Sequence, residues 1–88
     1  MPKIEIYTSP FCGFCAQAKS LLGRKGVTYQ EIDVTVKPGA RQEMTRKTGQ
    51  TSVPQIFVDG VHIGDCEGIH ALDARGQLDE KLGMGTVG

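Results

Sequence analysis

Cys12 and Cys15 are separated only by Gly13-Phe14, and the pair stands where alternating sequence gives way to helical periodicity. That position suggests thiol chemistry. A cysteine at the N-terminus of a helix faces unpaired backbone N–H groups and the positive end of the helix dipole, and both favour thiolate over thiol. A second cysteine one turn inside the helix is close enough to form a disulfide with the first. Cys12 therefore reads as the attacking sulfur and Cys15 as the resolving one. Lys19, on the same helix, reads as a solvated side chain rather than a tuner of thiol acidity.

Half of a zinc site is the competing use of such a pair. A structural zinc needs four protein ligands, and the others of suitable type are His62, Cys66 and His70, grouped around one turn. No second C-x-x-C accompanies them. The strand-to-helix setting of Cys12 and Cys15 favours the redox reading.

The flanking elements follow from hydrophobic period and punctuation. Ile4 and Ile6 alternate with Lys3 and Glu5 as a strand ending near Tyr7. After Cys15, Ala18, Leu21 and Leu22 share one helical face, and Gly26 stops the helix. Val27 to Val34 alternates again, and a strand-helix-strand order predicts a parallel, right-handed pair. Pro38-Gly39 closes a turn before a short helix over Ala40 to Thr48, with Met44 and Ala40 inward and Arg41, Gln42, Arg46 and Lys47 outward. Gln55 to Val58 and Val61 to Ile63 flank Asp59-Gly60 as a hairpin. Gly64 to Gly68 then reads as a turn, and Ile69 to Arg75 as the last helix. One weak helical turn around Leu78 and Leu82 precedes a Gly-rich end over 83–88 that lacks the periodicity to dock and reads as mobile.

The order β-α-β-α-β-β-α predicts an α/β fold with a four-stranded mixed sheet and helices on both faces. A chain of 88 residues leaves room for one domain, over residues 1–82. Ten basic and ten acidic residues balance, so nothing in the charge points to nucleic acid or an anionic membrane. No apolar run approaches the ~18 residues of a membrane span. Three cysteines, an odd number, fit a catalytic pair plus one better than a secreted disulfide framework, which makes a cytoplasmic setting the expectation.

With Cys12-Gly13-Phe14-Cys15, Thr51-Ser52-Val53-Pro54-Gln55-Ile56-Phe57 and Gly64-Asp65-Cys66-Glu67 in this order, the sequence resembles the dithiol glutaredoxins, chiefly the small bacterial glutaredoxin 3 type, as far as about Leu82. The resemblance implies a thioredoxin-like fold and a glutathione-dependent oxidoreductase. Glutathione would be electron donor, an NADPH-dependent glutathione reductase would recycle it, and disulfide-containing or glutathionylated proteins would be the targets of a monomer. It also implies a glutathione site: Pro54 after a cis peptide bond, Val53 offering its backbone to the extended tripeptide, Asp65-Cys66-Glu67 receiving the γ-glutamyl carboxylate on free N–H groups, Arg41 at the glycyl carboxylate, Phe14 facing substrate, and Ser52 in place of a commoner threonine. Cys66 reads as a small buried hydrophobe.

Two departures from the family pattern stand out. Ser9 occupies a position where the family often has lysine, and Gly64-Asp65-Cys66-Glu67-Gly68 replaces the usual Gly-Gly-Cys-Asp-Asp. A second resemblance competes with the first. Cys-Gly-Phe-Cys differs by one residue from the Cys-Gly-Phe-Ser of monothiol glutaredoxins, in which Cys12 would be an iron–sulfur ligand, a [2Fe-2S] cluster being held by one such cysteine and one glutathione from each of two subunits. Thioredoxin itself is disfavoured, because the chain contains no tryptophan.

Overall fold

The computed structural model describes residues 2–83. In chain order the elements are β1 (Ile4–Thr8), α1 (Gly13–Arg24), β2 (Gln30–Asp33), α2 (Ala40–Thr48), β3 (Gln55–Val58), β4 (Val61–Gly64), α3 (Cys66–Ala74) and α4 (Leu78–Lys81). The sheet order is β2-β1-β3-β4. β1 pairs with β2 in parallel and with β3 antiparallel, and β3 and β4 form the antiparallel hairpin.

Strand alternation divides the apolar residues between two layers. Ile4, Ile6, Ile56 and Val58 face α1, α3 and α4, where Ala18, Leu21, Leu22, Ile69, Leu78 and Leu82 complete one core. Tyr7, Ile32 and Phe57 face the opposite way and pack with Val34 and with Ala40 and Met44 of α2. Helices thus cover both faces of a mixed sheet, as the sequence pattern predicts.

Two details differ from the sequence reading. β2 begins only at Gln30, so Val27 and Tyr29 pack against the core from outside the strand. The stretch from Gly64 to Gly68 is not one turn: Gly64 ends β4, Asp65 caps α3, and Cys66 to Gly68 form its first turn. Two glycines permit this junction. A Cβ on Gly64, which has φ 148°, would stand 3.3 Å from the Cα of Gly68, and one on Gly68 would stand 3.2 Å from the capping Asp65 carboxylate, so side chains at either position would press on the strand-to-helix crossing.

The helical turn expected around Leu78 and Leu82 is present as α4. Leu78 and Leu82 are fully buried in the first core, and Lys25 at the end of α1 bridges Asp73 of α3 and Asp79 of α4. A four-residue helix has almost no stability of its own, so α4 exists because its two leucines dock. Of the end read as mobile, residues 84–88 lie outside the described residues.

Removing a docked leucine costs both its transfer free energy and the cavity it leaves. Leu78→Ala is expected to destabilise the fold by about 2–5 kcal/mol in urea denaturation; an unchanged midpoint would mean that α4 contributes nothing to the core.

Candidate active site

The loop between β1 and α1 presents the first thiol. Phe11 holds φ 61° with its side chain fully exposed, a left-handed conformation that costs a residue with a Cβ on the order of 1–2 kcal/mol. Immediately after this kink, Cys12 has extended backbone and takes the N-cap position of α1. Its sulfur accepts the Cys15 backbone N–H at 3.3 Å and stands 3.9 Å from the carbonyl oxygen of Val53. The sulfur therefore does what a serine or aspartate oxygen does at an ordinary N-cap.

The two thiols have opposite environments. Burial raises the pKa of Cys12, but the Cys15 thiol, the backbone N–H groups of Cys15 and Phe14, and the charge of Lys19 outweigh it and leave the group below the ordinary thiol value. Cys15 is 1% exposed. Burial, with its bond to the Cys12 sulfur, pushes it up to about 11. One thiol is thus prepared to ionise below the ordinary thiol range while its neighbour keeps its proton.

A groove of about 230 Å³ opens beside the Cys12 end of α1, lined by Phe14, Ser52, Val53, Pro54, Asp65, Cys66 and Glu67. Three separated segments meet here: the start of α1, the loop before β3, and the start of α3. The Val53–Pro54 peptide bond is cis. Phe14 is 65% exposed and stands along one wall. At the opposite wall the Asp65 carboxylate accepts the Gly68 N–H at 2.7 Å. Helix geometry leaves the N–H groups of Cys66 and Glu67 without intrahelical acceptors. Arg41 is not part of this lining; its guanidinium donates to the Thr51 carbonyl at 2.6 Å, next to Ser52, and lines an adjoining surface with Arg46.

Cys66 is buried, its sulfur 3.5 Å from Nδ1 of His70, and burial foremost pushes its thiol up. His62 turns instead to Oε1 of Gln55 at 2.7 Å. Among the described residues, no group of three His, Cys, Asp or Glu side chains is placed to hold a metal ion.

Two features escape sequence reasoning. Gln55, wholly buried, donates through Nε2 to the Ser52 carbonyl and to Gln50, each at 3.1 Å, and accepts from His62. A buried amide satisfied on both sides fixes the loop from Ser52 to Pro54. Its one signal in the sequence is a polar residue at an inward strand position. The second feature is Lys19: its Nζ lies 3.1 Å from Oε2 of Glu31, which also accepts the Thr8 hydroxyl at 2.7 Å. It is therefore paired rather than freely solvated.

Comparison with known proteins agrees with this geometry. The family model described as Glutaredoxin matches residues 4–63. Glutaredoxin 3 of Escherichia coli strain K12 is 49% identical over 82 residues, covering 93% of this chain and 99% of its own. The solution structure of glutaredoxin from Brucella melitensis superposes with a TM-score of 0.82 at 45% identity, covering 94% of this chain and 92% of that one. The crystal structure of a buckwheat glutaredoxin–glutathione complex does so with a TM-score of 0.86 at 27% identity, covering 93% and 77%. With its thiol pair at the mouth of a thioredoxin-like fold, and relatives matched over nearly their full length, the chain belongs to the glutaredoxin family of oxidoreductases.

Proposed function

We propose that the protein reduces protein disulfides and glutathionylated mixed disulfides, with Cys12 as nucleophile, Cys15 as resolving thiol and glutathione as electron donor. The observation that carries this reading is the Cys12 sulfur at the N-cap of α1, accepting the Cys15 N–H while the Cys15 thiol stays buried. In the first step the Cys12 thiolate attacks one sulfur of the target disulfide. A mixed disulfide forms, and the other sulfur leaves as thiolate and takes a proton from solvent.

Two fates follow for that intermediate. Where the target was glutathionylated, Cys12 carries the glutathionyl group, and a second glutathione thiolate removes it as glutathione disulfide. Where the target was a protein disulfide, Cys15 loses its proton and attacks the Cys12 sulfur, closing the intramolecular disulfide and releasing the target thiolate. Two glutathiones then reopen it. An NADPH-dependent glutathione reductase would return glutathione disulfide to thiol, which fits a monomer working in a reducing cytoplasm.

Glutathione would lie in the groove beside Phe14. Its γ-glutamyl carboxylate would meet the N–H groups of Cys66 and Glu67 at the positive end of α3, its backbone would pair with Val53 as an added strand does, and its glycyl carboxylate would approach Arg41. Asp65 is committed to the cap, which leaves Glu67 as the acidic side chain for the γ-glutamyl ammonium.

A second reading has one observation in its favour. A Cβ added at Gly13 would meet no atom within 4 Å, so Cys12 has open space beside it. In this reading Cys12 would be one of four thiolates around a [2Fe-2S] cluster, with its counterpart in a second chain and two glutathiones supplying the others.

Reduction of a glutathione mixed disulfide, coupled to NADPH and glutathione reductase, tests the principal reading. Cys12→Ser is expected to abolish turnover, whereas Cys15→Ser keeps it and loses protein-disulfide reduction; substantial turnover by Cys12→Ser would overturn the assignment. The groove is tested separately. Glu67→Gln should raise KM for the glutathionylated substrate severalfold with kcat little changed. Asp65→Ala should cost about 1 kcal/mol of stability and Asp65→Asn little, because asparagine caps a helix as well as aspartate. Equal stability of the two Asp65 variants would show that the cap contributes nothing.

A further inference from the structure

A second and larger cavity, of about 710 Å³, lies on the other flank of Cys12, and its lining includes Phe11, Cys12, Cys15, Lys19, Glu31 and Asp33. Both thiols border it, as does a single cation. Lys19 stands four residues beyond Cys15 on α1, a spacing that stacks the two side chains on one helical face. A lysine normally moves among many rotamers, but this one is held: Glu31 on β2 takes its Nζ at 3.1 Å, and Thr8 at the end of β1 takes the same Glu31 oxygen at 2.7 Å. The ammonium therefore stays over the cavity, its side chain 35% exposed.

Resting on the reading of Cys15 as resolving thiol, we propose that Lys19, anchored by Glu31, stabilises the Cys15 thiolate in the step that closes the Cys12–Cys15 disulfide, and so sets how efficiently the protein uses two-thiol rather than one-thiol chemistry. In that step the Cys15 proton leaves to solvent through the cavity. The sulfur electron pair forms the bond to Cys12, and the pair of the breaking bond departs with the target sulfur. Negative charge builds first on a sulfur that is buried against the apolar core. By then the Cys12 sulfur is bonded to the target and carries no charge, so Lys19 is the cation left bordering the cavity.

The surroundings of Cys15 support this assignment. The titratable or charged groups that share its cavity are Cys12 at the N-cap of α1, Lys19 on α1, and Glu31 and Asp33 at the end of β2; Cys66 on α3 faces Cys12 instead. The backbone N–H of Ser9 also favours its anion. Lys19 is the one side chain in this set that favours a charged Cys15. Asp33 is occupied by the N–H and hydroxyl of Thr35, and Cys66 by His70. Lys19 acts through Cys15 and makes no substrate contact in this account, so it is a positioning residue.

The test compares Lys19→Met, Lys19→Arg and Cys15→Ser in two assays, reduction of a protein disulfide and reduction of a glutathione mixed disulfide. A one-unit rise in the Cys15 pKa lowers its thiolate fraction tenfold, and the greater nucleophilicity of the more basic thiolate recovers about threefold of that. Lys19→Met is therefore expected to slow protein-disulfide reduction about threefold for each such unit, with a smaller loss in mixed-disulfide reduction because the charge of Lys19 is the least of the influences on Cys12, and Lys19→Arg to restore the rate. In a Cys12→Ser background, Lys19→Met should also move Cys15 alkylation to higher pH.

The remaining outcomes separate the two ideas. Equal losses in both assays would place the effect of Lys19 on Cys12 and overturn the proposal, as would full protein-disulfide reduction by Lys19→Met. If Cys15→Ser itself retained protein-disulfide reduction, the resolving role would fail, and the proposal with it.

Discussion

The hydrogen bond from the Cys15 backbone N–H to the Cys12 sulfur is the interaction on which the rest depends. It makes the nucleophile the cap of its own helix, so that a group needed for chemistry also satisfies one of the orphan donors that every helix start carries. Charge on that sulfur is favoured by backbone dipoles that cannot move away, and this suits a protein lacking the lysine common three residues earlier. The same helix buries Cys15 one turn on, where the apolar core holds its proton in place. A difference in solvation between two identical side chains thus separates their roles.

The sheet supplies the frame for this asymmetry. β1 lies between β2 and β3 in the sheet, so its last residue delivers the thiol loop to an edge that the loop before β3 also reaches. The Gln55 amide holds that loop by its Ser52 carbonyl, and Gly64 and Gly68 let α3 begin against the end of β4. Three segments distant in sequence therefore meet around Cys12 by constraints that are individually small. Each is a buried polar group satisfied or a close approach permitted, rather than a large area of apolar contact.

Much of this was legible in the sequence because it follows from local period and punctuation. Ile4, Ile6 and Tyr7 fall on the faces that alternation assigns, Ala18, Leu21 and Leu22 on the buried stripe of α1, and Ala40 and Met44 on that of α2. Seven of the residues singled out for a glutathione site line one groove, while Arg41 reaches only its margin through Thr51. What was not legible depends on contacts between distant residues. The turn around Leu78 and Leu82 is legible, but the core that it docks into is assembled from β1, α1, β3 and α3. The start of α3 at Cys66 rests on an aspartate cap followed by glycine, which reads as a turn. Lys19 reads as solvated because its partner Glu31 lies on β2, outside its own helix.

Titration of the thiolate ultraviolet absorbance of the reduced protein, compared with Cys12→Ser, tests the central claim most directly. A thiol held below its ordinary value is thiolate at any pH above that lowered pKa, so its absorbance must appear early as pH rises. The account predicts one thiolate per chain appearing below the ordinary thiol range and absent from Cys12→Ser, with Cys15 ionising only at about pH 11. A chain in which no thiolate appears before the ordinary range, or in which the early step survives in Cys12→Ser, would contradict it.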